Sequence, residues 1–160
     1  MRVILCVGVI AVLAGCGSEA QQPGFAQRPA QPAPDHQVTL HDLSSLLPTK
    51  GLKHSGIVMD HVAGLSKLPG GTLGEYESKG KKYQVFIIDA GTDQQAAFML
   101  LDAKANLNNP DYLSSFGGYF GSDGTRPVFV FARLRYLTGI VGLPKDEADP
   151  IARTLGQRLR

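Results

Sequence analysis

The sequence predicts an α+β domain: a mainly antiparallel sheet with two principal helices packed on it, preceded by a short helix. Three observations carry this. Strand-like runs cluster between Gly56 and Ala90 and again between Val128 and Leu143. Two amphipathic stretches, after Thr92 and after Asp149, follow those clusters instead of alternating with every strand. Lys79-Gly80-Lys81-Lys82 sits between two apolar runs as a hairpin turn does, with Gly80 supplying the positive φ.

Taken in order, Thr39 followed by Asp42 resembles a capping box. Leu40, Leu43, Leu46 and Leu47 share one helical face until Pro48, which predicts the short helix. Gly56 to Val62 predicts a short strand, and Leu68-Pro69-Gly70-Gly71-Thr72-Leu73-Gly74 a turn that feeds the next one. That motif lacks the lysine and the strand-to-helix setting of a phosphate loop. Leu73 to Ser78 and Tyr83 to Ala90 are the hairpin strands, and the continuous run Val85-Phe86-Ile87-Ile88 predicts a central strand covered on both faces.

Thr92 and Gln95 form a second capping pair. Ala96, Leu100, Ala103 and Leu107 then make a stripe, so the main helix runs from about Asp93 to Leu107. From Val128 to Leu143 the chain is strand-like again. A single straight strand would put Arg133 and Arg135 on the face of Phe129 and Phe131, and burying two guanidinium groups there is costly, which predicts a turn near Arg133 to Arg135. Asp149 and Pro150 read as the cap and first residue of a last helix whose apolar face is Ile151, Ala152, Leu155 and Leu159.

Domain organisation follows from composition. An apolar run from Val3 to Ala14 follows Arg2, too short for a bilayer-spanning helix, which needs about 20 apolar residues. Residues 1–15 are therefore expected to be an export signal. Gly17 to Gln37 is rich in Gln, Ala and Pro, with Phe25 as its one aromatic residue, and reads as a tether that cannot offset its own ordering entropy. Extended, such a segment reaches ~65 Å. Residues 38–160 are long enough for one domain, with no internal repeat.

The quartet Leu13-Ala14-Gly15-Cys16 resembles the bacterial lipobox. The resemblance implies a diacylglycerol thioether on Cys16, cleavage before it, and acylation of the new amine. The expected partner is then a membrane, reached through lipid on Cys16 in a bacterial cell envelope, because two or three acyl chains anchor stably where one is marginal. Cys6 falls within the signal, so no thiol is left for a disulfide, metal or nucleophile. With Arg2 removed, 15 Lys and Arg face 14 Asp and Glu, a near balance that argues against nucleic acid as a partner.

Sequence motifs for chemistry are sparse. His36 falls in the tether, and His41, His54 and His61 are scattered near Asp42, Ser55 and Asp60, without a Gly-x-Ser-x-Gly elbow or a His-Glu-x-x-His helix. Glu75 and Glu77 share a strand face, where alternating carboxylates read as a solvated surface. No catalytic, cofactor or metal residue is assigned. The less ordinary stretch is Tyr112 to Gly124, in which Tyr112, Phe116, Tyr119 and Phe120 are interleaved with Gly117, Gly118, Gly121 and Gly124. A loop of this composition is a candidate contact surface for a partner; an edge strand feeding its aromatics into the core is the alternative.

Segments Leu68-Pro69-Gly70-Gly71, Lys81-Lys82-Tyr83, Ala96-Ala97-Phe98 and Phe131 to Leu143 resemble an uncharacterised family of exported bacterial proteins, a domain of unknown function. That resemblance implies a single α+β domain and names no substrate. The expectation is a non-enzymatic binding or assembly module for an envelope protein or small ligand; an envelope hydrolase using His and carboxylate groups, and a structural spacer, are the competing readings.

Overall fold

The computed structural model describes residues 40–160; the expectations for the signal, Cys16, the tether and Thr39 fall outside them. Seven strands form one sheet: β1 (Leu52–Asp60), β2 (Pro69–Ser78), β3 (Lys81–Asp89), β4 (Asn108–Leu113), β5 (Gly118–Ser122), β6 (Pro127–Arg133) and β7 (Tyr136–Val141). Their spatial order is β1-β2-β3-β7-β6-β5-β4, and every neighbouring pair is antiparallel. Helix α1 (Asp93–Lys104) follows β3 and helix α2 (Lys145–Arg158) follows β7. The fold is α+β, with the two helices on opposite faces of the sheet.

Strand periodicity decides which core each residue joins. Phe86, Ile88, Val128, Val130, Leu137 and Val141 point to one face and pack under Ala96, Met99, Leu100 and Ala103 of α1. Their neighbours Val85, Ile87, Phe129, Phe131, Tyr136 and Ile140 point to the other, under Ala148, Ala152 and Leu155 of α2. Val85 to Ile88 are all fully buried, as a strand covered on both sides requires. The chain divides into Met1–Pro34 and Asp35–Arg160, and both cores belong wholly to the second unit, which therefore folds from its own residues.

Local chemistry explains the connections. Lys79 and Gly80 both adopt positive φ, and Ser78 pairs with Lys81, so the first hairpin closes in two residues. Leu134, also at positive φ, and Arg135 make another two-residue turn between β6 and β7, where Arg133 pairs with Tyr136, and this leaves Arg133 and Arg135 at the exposed end instead of in the core. Thr92 Oγ1 accepts the Gln95 N–H at 3.1 Å and caps α1. Buried polar side chains are all satisfied among the described residues: Thr138 donates to the Phe86 carbonyl at 2.6 Å, and Asp89 accepts the Gly91 N–H and pairs with Arg135.

Several expectations are corrected. The leucines before Pro48 do not make an amphipathic helix. Only Ser44–Leu46 form a 3-10 turn, because Leu47 is drawn into the α2-side core with Leu43 and Leu46 packing beside it. The first strand begins earlier than Gly56, at Leu52. Pro69 to Gly74 is strand and not turn: a Cβ on Gly70 would lie 2.3 Å from the Val58 and Met59 carbonyl oxygens, so glycine permits the close approach of β1. Helix α1 stops at Lys104, before Leu107. Helix α2 starts four residues before Asp149, behind Pro144. Pro150 lies inside it, at an exposed position where only the Asp146 carbonyl loses an intrahelical partner. Finally, Tyr112 to Gly124 is not a loop but mostly β4, a tight turn and β5.

Candidate functional site

Pairing of β4 with β5 fixes where the four aromatic residues go. Tyr112 and Tyr119 are cross-strand partners on the α1 face, their rings 5.6 Å apart, with Lys104 Nζ 5.0 Å from the Tyr119 ring. Phe120 lies opposite Phe129 on the α2 face. Phe116 sits in the turn, where the Phe116 and Gly117 amides donate to the Leu113 carbonyl, and its ring packs 5.1 Å from Phe129 and 5.2 Å from Phe131. The four aromatics therefore serve two surfaces, and no single lip gathers them. Tyr112 is mainly exposed, at 59%, whereas Phe116, Tyr119 and Phe120 are half-buried against the cores.

Phe116 also opens onto a groove. About 480 Å³ of space lies between the β4–β5 turn, the end of β6 and the last turns of α2, with Phe116, Phe131, Ala152 and Gly156 as its apolar lining. Three guanidinium groups stand around it: Arg133 from the end of β6, and Arg153 and Arg160 from α2 and the residues after it. Arg153 lies over the Phe116 ring, 5.2 Å from its centroid, and is held there by Asp149 one helical turn earlier, its Nε 2.6 Å from Oδ2. That carboxylate pushes the Arg153 guanidinium further up from its ordinary value through hydrogen bonding and charge. Arg160 Nε donates to the Gln157 carbonyl at 3.2 Å. Arg133 has neither an ion pair nor a side-chain hydrogen bond among the described residues.

Sequence reasoning reached Phe116 but missed the rest of this site. Arg133 was visible only as a charge that must not be buried, and Arg153 and Arg160 carried no expectation of their own. A signal was nevertheless present: Arg153, Gly156, Gln157 and Arg160 fall at i, i+3, i+4 and i+7, one face of a helix, with a glycine in its middle.

A second depression, of about 550 Å³, is lined by Lys53, Glu75, Glu77, Lys82, Gln84 and Arg126 among others. Its charges are paired only in part, since Glu75 and Lys82 have no ion pair among the described residues. Lys53 lies 4.0 Å from Glu77, and Arg126 is spent on Asp123, Gln84 and the Ala63 carbonyl. Asp123 loses some hydration by burial, but hydrogen bonds from the Arg126 and Thr125 amides and side chains outweigh this and hold its carboxyl down at about 2. Glu75 and Glu77 are exposed on one face, as the solvated reading requires.

The described histidines do not assemble. His41, His54 and His61 are all exposed; His54 pairs in register with Glu75, and His61 Nδ1 lies 3.3 Å from Asp60. Among the described residues no group of three His, Cys, Asp or Glu side chains is placed to hold a metal, and no helix is long and apolar enough to cross a membrane. No family model, curated protein or solved structure matches the chain.

Proposed function

We propose that the chain is a lipid-anchored protein of the bacterial cell envelope whose domain is a non-enzymatic binding module, and that the groove over Phe116 and Phe131 is its contact site. The observation that carries the binding role is the groove itself: an open aromatic-lined space ringed by three arginines, of which Arg133 is unengaged among the described residues. Ligand sites combine such apolar lining with a few polar groups that fix orientation. Anchoring rests on the lipobox-like Leu13-Cys16 and the apolar run before it. The Leu43 N–H donates to Thr72, and Thr72, Ile87, Thr138 and Phe131 are successive cross-strand partners, so the first described residues lie on the face that carries the groove.

The test is capture from the native membrane with the lipidated wild-type chain and with Gly156→Leu, which fills the groove. The proposal expects a molecule retained by the wild type and lost by a variant that still melts cooperatively. Equal retention by both would remove the groove from the account.

A further inference from the structure

We infer that the groove takes an amphipathic oxyanion: a carboxylate or phosphate head received by Arg133, on an apolar body lying along the half-buried Phe116. The inference rests on the proposed binding role and names its ligand chemistry.

Cations outnumber anions around this space. Arg133, Arg153 and Arg160 line it, and Asp149, the carboxylate paired with Arg153, offsets one of them. The planar fork of a guanidinium suits carboxylate and phosphate geometry, and an arginine without an internal partner offers that fork undiminished. Arg153 is already oriented over the Phe116 ring by Asp149, so it covers the apolar body instead of competing for the head. Headgroup alone does not suit the site, because the half-buried Phe116 and Gly156 leave an apolar surface that a small hydrophilic ion would not cover. A neutral apolar molecule would leave the guanidinium of the exposed Arg133 unused.

Gly156 provides the second observation. It lies within α2, where glycine is the costliest residue after proline, yet a Cβ there would meet nothing closer than Phe131 Cε2 at 3.7 Å, an ordinary contact. Packing does not demand a glycine at this position. Its effect is to leave the half-buried floor of the groove open beside Phe131, whose own ring is buried.

The experiment uses the unit Asp35–Arg160, whose cores are complete, with backbone amide shifts followed by NMR during titration with octanoate and octyl phosphate below micelle formation. Octanamide and acetate supply the body and the head alone. The expected result is saturable shifts centred on Phe116, Arg133 and Gly156 with either amphipathic anion, and binding at least about tenfold weaker for both controls. Arg133→Gln should weaken the anions roughly tenfold to a hundredfold while leaving octanamide unchanged, and Gly156→Leu should abolish the groove shifts. The relative affinities of octanoate and octyl phosphate identify the preferred head. Octanamide binding as tightly as octanoate would overturn the oxyanion assignment and leave the binding-module reading standing. Anion binding indifferent to Arg133→Gln, or no groove shifts with either anion, would overturn the inference outright. Failure of the binding-module reading is seen separately, as native-membrane capture indifferent to Gly156→Leu.

Discussion

Replacing Gly156 with Ala should stabilise the domain while narrowing its groove. Within a helix, Ala is favoured over Gly by roughly 0.8–1.0 kcal/mol, and position 156 lies in the last turn of α2, where fraying reduces this to about 0.5 kcal/mol or slightly more. The added methyl meets Phe131 Cε2 at 3.7 Å without a clash, so packing adds a few tenths of a kcal/mol at this half-buried site. A net gain of about 1 kcal/mol corresponds to a melting temperature raised by roughly 3–5 °C in a unit of this size. Thermal unfolding followed by circular dichroism measures it. Octanoate affinity measured on the same variant should fall, because the methyl takes up part of the groove floor. A lowered melting temperature would refute the reasoning, since it would mean that the glycine is required by packing and is not a device that keeps the groove open.

Other expectations are local. Thr92→Ala removes the side-chain acceptor for the Gln95 amide and should cost about 1 kcal/mol, read as a melting temperature lower by several degrees. Asp123 has its carboxyl held at about 2 in the folded chain against an ordinary 3.8, so its stabilisation is complete above pH 3.8 and is lost as the pH falls toward 2. With the side chain 12% exposed, this amounts to roughly 2 kcal/mol, and acid titration of Asp123→Asn should show a correspondingly shallower loss across that window. Cys16→Ser should leave an unprocessed or mis-cleaved precursor, because the thiolate is the acyl acceptor in the proposed anchoring. Mass spectrometry finding an unmodified Cys16 in the mature wild-type protein would exclude the lipid anchor.

How much of this was legible in the sequence depended on whether a feature was local. The run Val85 to Ile88 announced a strand buried on both faces, since no solvated face leaves four consecutive apolar residues. The conflict of Arg133 and Arg135 with Phe129 and Phe131 located a turn, because period-two geometry leaves no other escape for the charges. Thr92 with Gln95 marked the start of α1 for the same local reason. Tertiary context decided the rest. Leucines at 43, 46 and 47 have helical spacing, yet contacts with the α2-side core hold them in a single 3-10 turn followed by extended chain. Pro150 looked like a helix start, but a solvent-facing helix tolerates one lost hydrogen bond, and α2 begins upstream. The groove was the least legible feature. It exists only where the β4–β5 turn, the end of β6 and α2 converge, and the α2 residues that line it are separated by about 20 to 40 positions from their partners in β6 and the turn. Among the aromatic residues, Phe116 was singled out from composition, but only strand pairing separates it from Tyr112 and Tyr119 on the opposite face.

The most direct test of the binding role is photo-crosslinking from Gln157, an exposed residue of the groove, in the lipidated protein in its own membrane, with Phe98 on the opposite face of the domain as the control position. The account predicts a discrete adduct from position 157 that is absent from position 98 and is suppressed by Arg133→Gln. Adducts of equal yield from both positions, or a position-157 adduct indifferent to Arg133→Gln, would contradict it.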